Sequence, residues 1–122
     1  MRAEYVFSVR FGVETASGVN ADPRTFETVV EVRADPPGED GWMFFRDALW
    51  RGEVNDERYA RELASEWLSV PAESVSFREL RTDEEYLDAL KDEISDSLDR
   101  FNADAVDEAL TKYLGSSIHV RP

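Results

Sequence analysis

Two stretches of strict alternation near the start of the chain constrain the fold most, because they require a sheet with one dry face. In residues 4–14, apolar side chains occupy every second position from Tyr5 to Val13, and the residues between them are polar or glycine except for Val6. Residues 25–34 alternate in the same way. Successive side chains of a strand point to opposite faces, so each stretch predicts a half-buried strand. The turn-rich segment between them predicts that the two strands pair in an antiparallel manner.

The rest of the chain carries patterns for four helices and two further strands. We predict a helix from Trp42 to Arg51 and a second helix that is capped by Asn55 and ends before Pro71. A strand follows over residues 74–80, and a third helix begins with a Thr82–Glu85 capping box and extends to Phe101. The last two predicted elements are a helix from Asn102 or Ala103 to Gly115 and a strand over residues 116–121. This order, ββααβααβ, predicts a single α+β domain over residues 1–122. We expect a mainly antiparallel four-stranded sheet with the helices layered on one face.

The charge of the chain is the second constraint. Fourteen basic residues, twelve of them arginine, stand against 27 acidic residues and give a formal net charge of −13. Such self-repulsion destabilises a compact state in dilute buffer, whereas at about 1 M salt the Debye length falls to about 3 Å and the cost largely disappears. We therefore predict a protein adapted to a salt-rich cytoplasm, with hydrated cations on its acidic surface. An ordinary acidic mesophile protein is the alternative.

A ladder of four carboxylates sharpens the prediction of salt dependence. Glu84, Asp88, Asp92 and Asp96 stand four residues apart on the outer face of the predicted third helix. Like charges at this spacing cost a few tenths of a kcal/mol for each pair at low salt. We expect the fold to lose stability as salt falls below about 1 M.

Several function classes are disfavoured by what the chain lacks. It has no basic stripe for nucleic acid, no apolar run of the length that spans a membrane, no secretory signal and no cysteine. A cytoplasmic location is the resulting expectation. Neither a cofactor motif nor a usual zinc site is present, so we expect no cofactor, no specific metal site and no catalytic constellation. The single histidine, His119, is predicted to face solvent on the last strand.

The aromatic stretch after the second strand offers the candidate ligand or partner surface. As a helix it would place a broad apolar face in the core and a smaller side, with Met43, Arg46 and Trp50, away from it. Arg46 is four residues from both Trp42 and Trp50, so its guanidinium is placed to stack on an indole. One interpretation is a helix that is buried all round. The other is that Trp50, Arg51, Arg46, Trp42 and Met43 face another copy or an anionic ligand.

Three segments of the chain resemble a known family. They are DPPGEDGWMFFRDALWRGEVND (35–56), which contains Leu49-Trp50-Arg51, VSFRELRTDEEYLDAL (75–90) and KYLGSSIHVR (112–121). Together they resemble the LWR-salt family, a group of small proteins of halophilic archaea named after the tripeptide. The resemblance covers essentially the whole chain and implies a salt-rich cytoplasm, in agreement with the charge. It implies no activity and no catalytic residues.

Three hypotheses about function follow. The leading one is a non-enzymatic protein that works through protein contacts, first with its own copy, as a homodimer. The alternative is a binder of small anionic ligands in which Trp50, Arg46 and Arg51 form the pocket. A second alternative is an enzyme with carboxylate acid–base groups, which is motivated by the abundance of carboxylates alone.

Overall fold

The computed structural model describes residues 1–13 and 24–122, and the predicted first loop lies outside them. Within the described residues the α+β class is confirmed, with more elements than the sequence predicted. They are β1 (Ala3–Val13), β2 (Arg24–Arg33), α1 (Phe44–Ala48), β3 (Leu49–Trp50), β4 (Glu53–Val54), α2 (Glu57–Leu68), β5 (Ala72–Thr82), α3 (Glu84–Ser95), a 3₁₀ helix (Leu98–Phe101), α4 (Val106–Leu114) and β6 (Ile118–Val120).

Four of the strands form one mixed sheet in the order β2-β1-β5-β6. β1 is antiparallel to both β2 and β5, as the alternating stretches predict. β6 runs parallel to β5, so the prediction of a mainly antiparallel sheet fails at this edge. The reason lies in the connection, because α3 and α4 form a helical crossover between the two strands, which is what parallel neighbours require.

One face of the sheet carries the core. Tyr5, Phe7 and Val9 of β1 are at most 3% exposed, and they pack with Phe77 and Leu80 of β5. Each helix contributes buried or partly buried apolar side chains to the same cluster. The half-buried character predicted for β1 is confirmed, whereas Phe26, on the predicted apolar face of β2, is 44% exposed. Burial of this apolar area, at roughly 25 cal/mol per Å², is the main force that holds helices and sheet together.

The opposite face of the sheet is covered by arginines and glutamates. Arg81 donates to Glu31 at 2.9 Å and to Glu79 at 3.1 Å. Both glutamates are register partners of Val6, which is only 2% exposed. The guanidinium therefore closes over an apolar residue. Six arginines and four glutamates lie on this face or at its margin, namely Arg2, Arg10, Arg33, Arg78, Arg81, Arg121, Glu4, Glu27, Glu31 and Glu79.

The predicted helix from Trp42 to Arg51 is wrong at its C-terminal end. The helix spans only Phe44–Ala48, and Leu49–Trp50 forms a strand that pairs with Glu53–Val54. Arg51 and Gly52, between these strands, have φ values of +53° and +80°. A helix cannot pass through positive φ, so the chain reverses as a hairpin.

Two predicted helix caps are shifted by one residue. Asp56, not Asn55, caps α2 by accepting from the Tyr59 N–H, while Asn55 donates its side-chain N–H to the Asp47 carbonyl. Asp83, not Thr82, caps α3 and accepts from the Tyr86 N–H at 2.7 Å. Thr82 is only 2% exposed because it still pairs with β1 as the last residue of β5. Thr82 still belongs to β5, and Asn55 is held by hydrogen bonds to Asp47 and Ala48, so in each case the following aspartate forms the cap.

The predicted third helix does not continue to Phe101, and the fourth begins later than predicted. α3 ends at Ser95, and a 3₁₀ helix follows. Asn102 adopts a left-handed conformation, with φ +50° and ψ +49°, which separates that turn from α4. Three further predictions are confirmed. Gly115 is the C-cap residue of α4, His119 is exposed, and all four carboxylates of the acidic ladder are exposed.

Candidate functional site

The Leu49-Trp50-Arg51 tripeptide forms the first strand and the turn of a tight hairpin. Two residues, Arg51 and Gly52, join β3 to β4, and both have positive φ. This is the pattern of a type I′ turn, whose backbone twist matches that of paired strands. Glycine adopts such a conformation freely, whereas for Arg51 it is strained.

The hairpin turn is fixed to the C-terminal end of α4. The Arg51 N–H donates to the Lys112 carbonyl at 2.7 Å, and the Gly52 N–H donates to the Tyr113 carbonyl at 2.9 Å. Carbonyls of the last helical turn have no partner within the helix, so the turn acts as an external cap. These two hydrogen bonds hold the strained backbone of Arg51 in place and fix the direction in which its side chain leaves.

The three side chains of the tripeptide go to different environments. Leu49 is fully buried. Trp50 is 44% exposed and meets the ring of Tyr113 edge to face, with centroids 5.9 Å apart. The guanidinium carbon of Arg51 lies 5.7 Å from the indole centroid, within reach of a cation–π contact. A half-exposed indole thus contacts both a tyrosine of α4 and an arginine of the turn.

A shallow groove of about 630 Å³ borders Trp50 and Arg51. Its other wall is the exposed side of α4 and the start of the following loop. The groove carries charges of both signs and a hydroxyl beside the indole. Its α4 and loop residues are Asp107, Glu108, Thr111, Lys112 and Gly115.

Arg46 does not belong to this groove. Its guanidinium binds the Asp47 carboxylate, with N–O distances of 2.8 and 3.0 Å, and donates to the Arg100 carbonyl at 3.4 Å. The expectation that Arg46 stacks on an indole is therefore wrong, and Arg51 makes that contact instead. The cause is the early end of α1, because Trp50 no longer lies one helical turn from Arg46.

Trp42 and Met43 line a second depression, a cleft of about 530 Å³. Trp42 is 7% exposed and packs edge to face on Phe101, so most of its ring belongs to the core. Met43 is half-buried. The five candidate residues are therefore divided among the Trp50 groove, this cleft and the Arg46–Asp47 pair. The remaining cleft residues are Tyr5, Val32, Arg33, Asp35, Gly38, Glu39, Asp40, Gly41, Phe44, Asp47, Ala48, Tyr59 and Arg100.

Structural surroundings shift the pKa values of Tyr86, Tyr5 and Asp83, and of these three only Tyr5 lines the cleft. The Tyr86 hydroxyl donates to the Asp35 carbonyl at 2.8 Å, and burial together with the Asp35 charge raises the pKa of Tyr86 to about 12. Burial also raises the pKa of Tyr5. Hydrogen bonding from the Tyr86 N–H lowers the pKa of Asp83, opposite to the shift that a carboxylic general acid needs.

Metal and membrane sites were assessed over the described part of the chain. Among residues 1–13 and 24–122, no three side chains of the His, Cys, Asp and Glu types are grouped as metal ligands. No helix in the same residues combines the length and the apolar composition needed to cross a bilayer.

Comparison with known proteins identifies a family for the chain. No curated protein and no solved structure matches it. The LWR-salt protein family model, in contrast, matches residues 1–122. The Leu49-Trp50-Arg51 hairpin lies within this match. The chain therefore belongs to the LWR-salt protein family.

Proposed function

We propose that this protein is non-enzymatic and acts through contacts with other protein chains, first with a second copy of itself. The observation that carries the proposal of protein contacts is Trp50, an indole left 44% exposed next to a turn that two hydrogen bonds to α4 hold in place. A large apolar ring in a fixed position loses little conformational freedom when a partner covers it.

The chemistry beside Trp50 favours a protein partner. Tryptophan and arginine are enriched among the residues that dominate binding energy at interfaces. Arg51 already lies against the indole, and Tyr113 meets it edge to face. The groove of α4 that continues from this pair is shallow and open, which suits a chain segment or a protein surface better than an enclosed small molecule.

The charge of −13 sets the conditions under which such contacts form. In dilute buffer two copies repel each other, whereas at about 1 M salt this repulsion is screened within about 3 Å. Short-range contacts of apolar and aromatic side chains then decide association. We accordingly place the protein in a salt-rich cytoplasm, with hydrated cations around its exposed carboxylates.

Light scattering at about 1 M KCl tests the proposal. We expect a mass above that of the 13.9 kDa monomer, which falls on dilution. Acrylamide quenching of tryptophan fluorescence reports separately on the Trp50 surface, with Trp50→Ala as the reference from which the exposed indole is absent. Quenching should decrease when a partner chain covers the indole. A protein that stays monomeric at every concentration would contradict self-association, whereas a Trp50 indole whose quenching no partner chain reduces would contradict a protein contact at Trp50.

A small anionic ligand is the second candidate for the same groove. It is supported by the placement of Arg51 and Lys112 beside Trp50, which offers two cations and a stacking surface. Asp107 and Glu108 in the same groove weaken the attraction for an anion. Quenching of Trp50 by a panel of phosphorylated and carboxylated metabolites at about 1 M KCl separates the two candidates. Saturable quenching that is lost in Arg51→Ala would favour the ligand.

A further inference from the structure

We infer that the second copy pairs with the first along β2, edge strand to edge strand, so that the two four-stranded sheets join into one. The inference rests on the proposed self-association and names the surface that it uses. It leaves the Trp50 groove available to a different partner chain. Three properties of β2 support it, namely an outer side with which no strand of residues 1–13 and 24–122 pairs, the order of its charges and the position of its exposed phenylalanine.

β2 is a long and regular edge strand. It spans ten residues, Arg24–Arg33, and lies at the end of the sheet order with β1 as its neighbour. Its pairing with β1 continues without a bulge, and its sequence contains neither proline nor lysine. Bulges, prolines and lysines are among the features by which edge strands avoid pairing with other chains. The outer row of N–H and C=O groups on β2 is therefore a template for another strand.

Apolar side chains stay exposed along this edge. Phe26 is 44% exposed and Val29 is 48% exposed, on opposite faces of the strand. Phe26 stacks on Phe11 of β1, with ring centroids 5.7 Å apart, so that its outer side remains bare. A second strand along β2 would cover both residues, which favours an apolar contact in addition to backbone hydrogen bonds.

Among the antiparallel registers that pair two copies of β2 over at least seven residues, the charges favour one, because an axis through Val32 would also oppose Glu31 and Arg33 but over only three residues of β2. If the two-fold axis passes through Val30, Glu27 of each copy lies opposite Arg33 of the other, giving two complementary pairs. An axis through Val29 would place Glu27 opposite Glu31, and an axis through Glu31 would place that residue opposite itself. Like charges directly opposite each other are unfavourable. Neither Glu27 nor Arg33 forms an ion pair with any residue that the structure describes, so both are available.

The same register gives the exposed phenylalanine a place to pack. With the axis through Val30, Phe26 of one copy lies opposite Ala34 of the other, on the core face and diagonal to Val32. Val32 and Arg33 line the cleft that also holds Trp42 and Met43. Each copy would thus bring its bare Phe26 ring to the mouth of the cleft of its partner. Exposed ring and open cleft become complementary parts of one interface.

The absence of cysteine from the chain allows a direct test by cross-linking. In this register two copies of Val30→Cys place their Cα atoms about 5 Å apart, within the range of a disulfide. Val29→Cys is the matched control, because its two thiols are offset by two residues and their Cα atoms lie about 8 Å apart. A mixture of Val29→Cys and Glu31→Cys chains should cross-link, since these positions face each other.

We expect mild oxidation at about 1 M KCl to double the mass of Val30→Cys on a non-reducing gel and to leave Val29→Cys alone unchanged. Trp50→Ala should keep the dimeric mass of the wild-type chain in light scattering. If the wild-type chain is dimeric but neither Val30→Cys nor the mixed pair cross-links, β2 is not the interface and self-association stands. If the wild-type chain is monomeric and no variant cross-links, both proposals fail.

Discussion

A Cβ atom built on Gly115 would lie 2.9 Å from the carbonyl oxygen of Arg51, a distance that real side chains essentially never show. Gly115 follows α4, and Arg51 lies in the turn of the hairpin. The two backbones meet so closely because the turn donates two hydrogen bonds to the last carbonyls of α4. The close packing of the tripeptide hairpin against α4 therefore depends on Gly115 as well as on the tripeptide.

Gly115→Ala should destabilise the fold. Its φ of +61° and ψ of −137° are open essentially to glycine alone, and the added Cβ would meet backbone, which cannot swing aside. We expect a loss of about 1–3 kcal/mol in the free energy of unfolding, measured by urea denaturation at about 1 M KCl. Gly38→Ala is the matched control, because it has a φ of +88° but its Cβ would meet the movable carboxylate of Glu93. Equal losses in the two variants would refute a specific contact between Gly115 and Arg51.

Replacing Arg51 should separate backbone strain from side-chain contact. Arg51→Ala loses the stacking on Trp50 and keeps a Cβ at a φ of +53°. Arg51→Gly loses the same stacking but relieves the strain, so it should be more stable than Arg51→Ala by about 0.5–1 kcal/mol. Thermal unfolding of the two variants measures this difference, and their Trp50 emission should shift in the same way. A less stable glycine variant would mean that Arg51 carries no conformational strain.

Charge reversal within the acidic ladder should reduce the salt dependence of stability. Asp88→Lys converts two repulsive contacts, with Glu84 and Asp92, into attractive ones, and all three positions are exposed. We expect a gain of about 1 kcal/mol at about 0.1 M KCl that nearly vanishes at about 1 M. Asp40→Lys makes the same change of net charge in an exposed turn outside the ladder. Melting temperatures that respond equally in both variants would show that net charge, not the ladder, sets the salt dependence.

Asp83 should add a pH-dependent contribution through its cap of α3. The hydrogen bond from Tyr86 N–H holds the pKa of Asp83 below its ordinary value of 3.8, and the amino terminus 3.6 Å away acts in the same direction. Because the folded-state pKa is the lower one, the contribution is present above pH 3.8 and is lost as pH falls through the folded-state value.

Asp83→Ser preserves a capping oxygen without a titrating group, so it serves as the reference for this effect. Urea midpoints of the two proteins should differ at about pH 5 and converge towards about pH 2. A difference that stays constant over this range would mean that the Asp83 charge contributes nothing to stability.

The strands with clear alternation could be predicted from the sequence because burial on one face leaves a period of two. Tyr5, Phe7 and Val9 carry that signal, and the structure buries all three. The local sequence of β6 carries no such signal for its parallel direction. Ile118–Val120 is three residues long, and its parallel pairing depends on the path of the helical crossover before it. A local pattern does not contain that path.

The candidate site was the least predictable part, and the reason is the chemistry of one turn. Hairpins with two residues at positive φ usually carry asparagine, aspartate or glycine at the first position, whereas this chain has Arg51. The apolar run from Trp42 to Trp50 therefore looked like one helix. Gly52 directly after an arginine in an aromatic segment was the available clue. The contacts of Arg51 with α4 are made across more than sixty residues of sequence, and local patterns do not report them.

The arginines on the open face of the sheet have a consequence for the molecule as a whole. Among the described residues, that face and its margin carry six arginines and four glutamates in a chain whose net charge is −13, while the carboxylate ladder lies on the helical layer. The protein is therefore an electric dipole with its positive pole at the sheet. In dilute solution this dipole orients neighbouring molecules head to tail over long distances. In concentrated salt the orienting field is screened within a few ångströms. Association between molecules then depends only on surfaces of complementary shape.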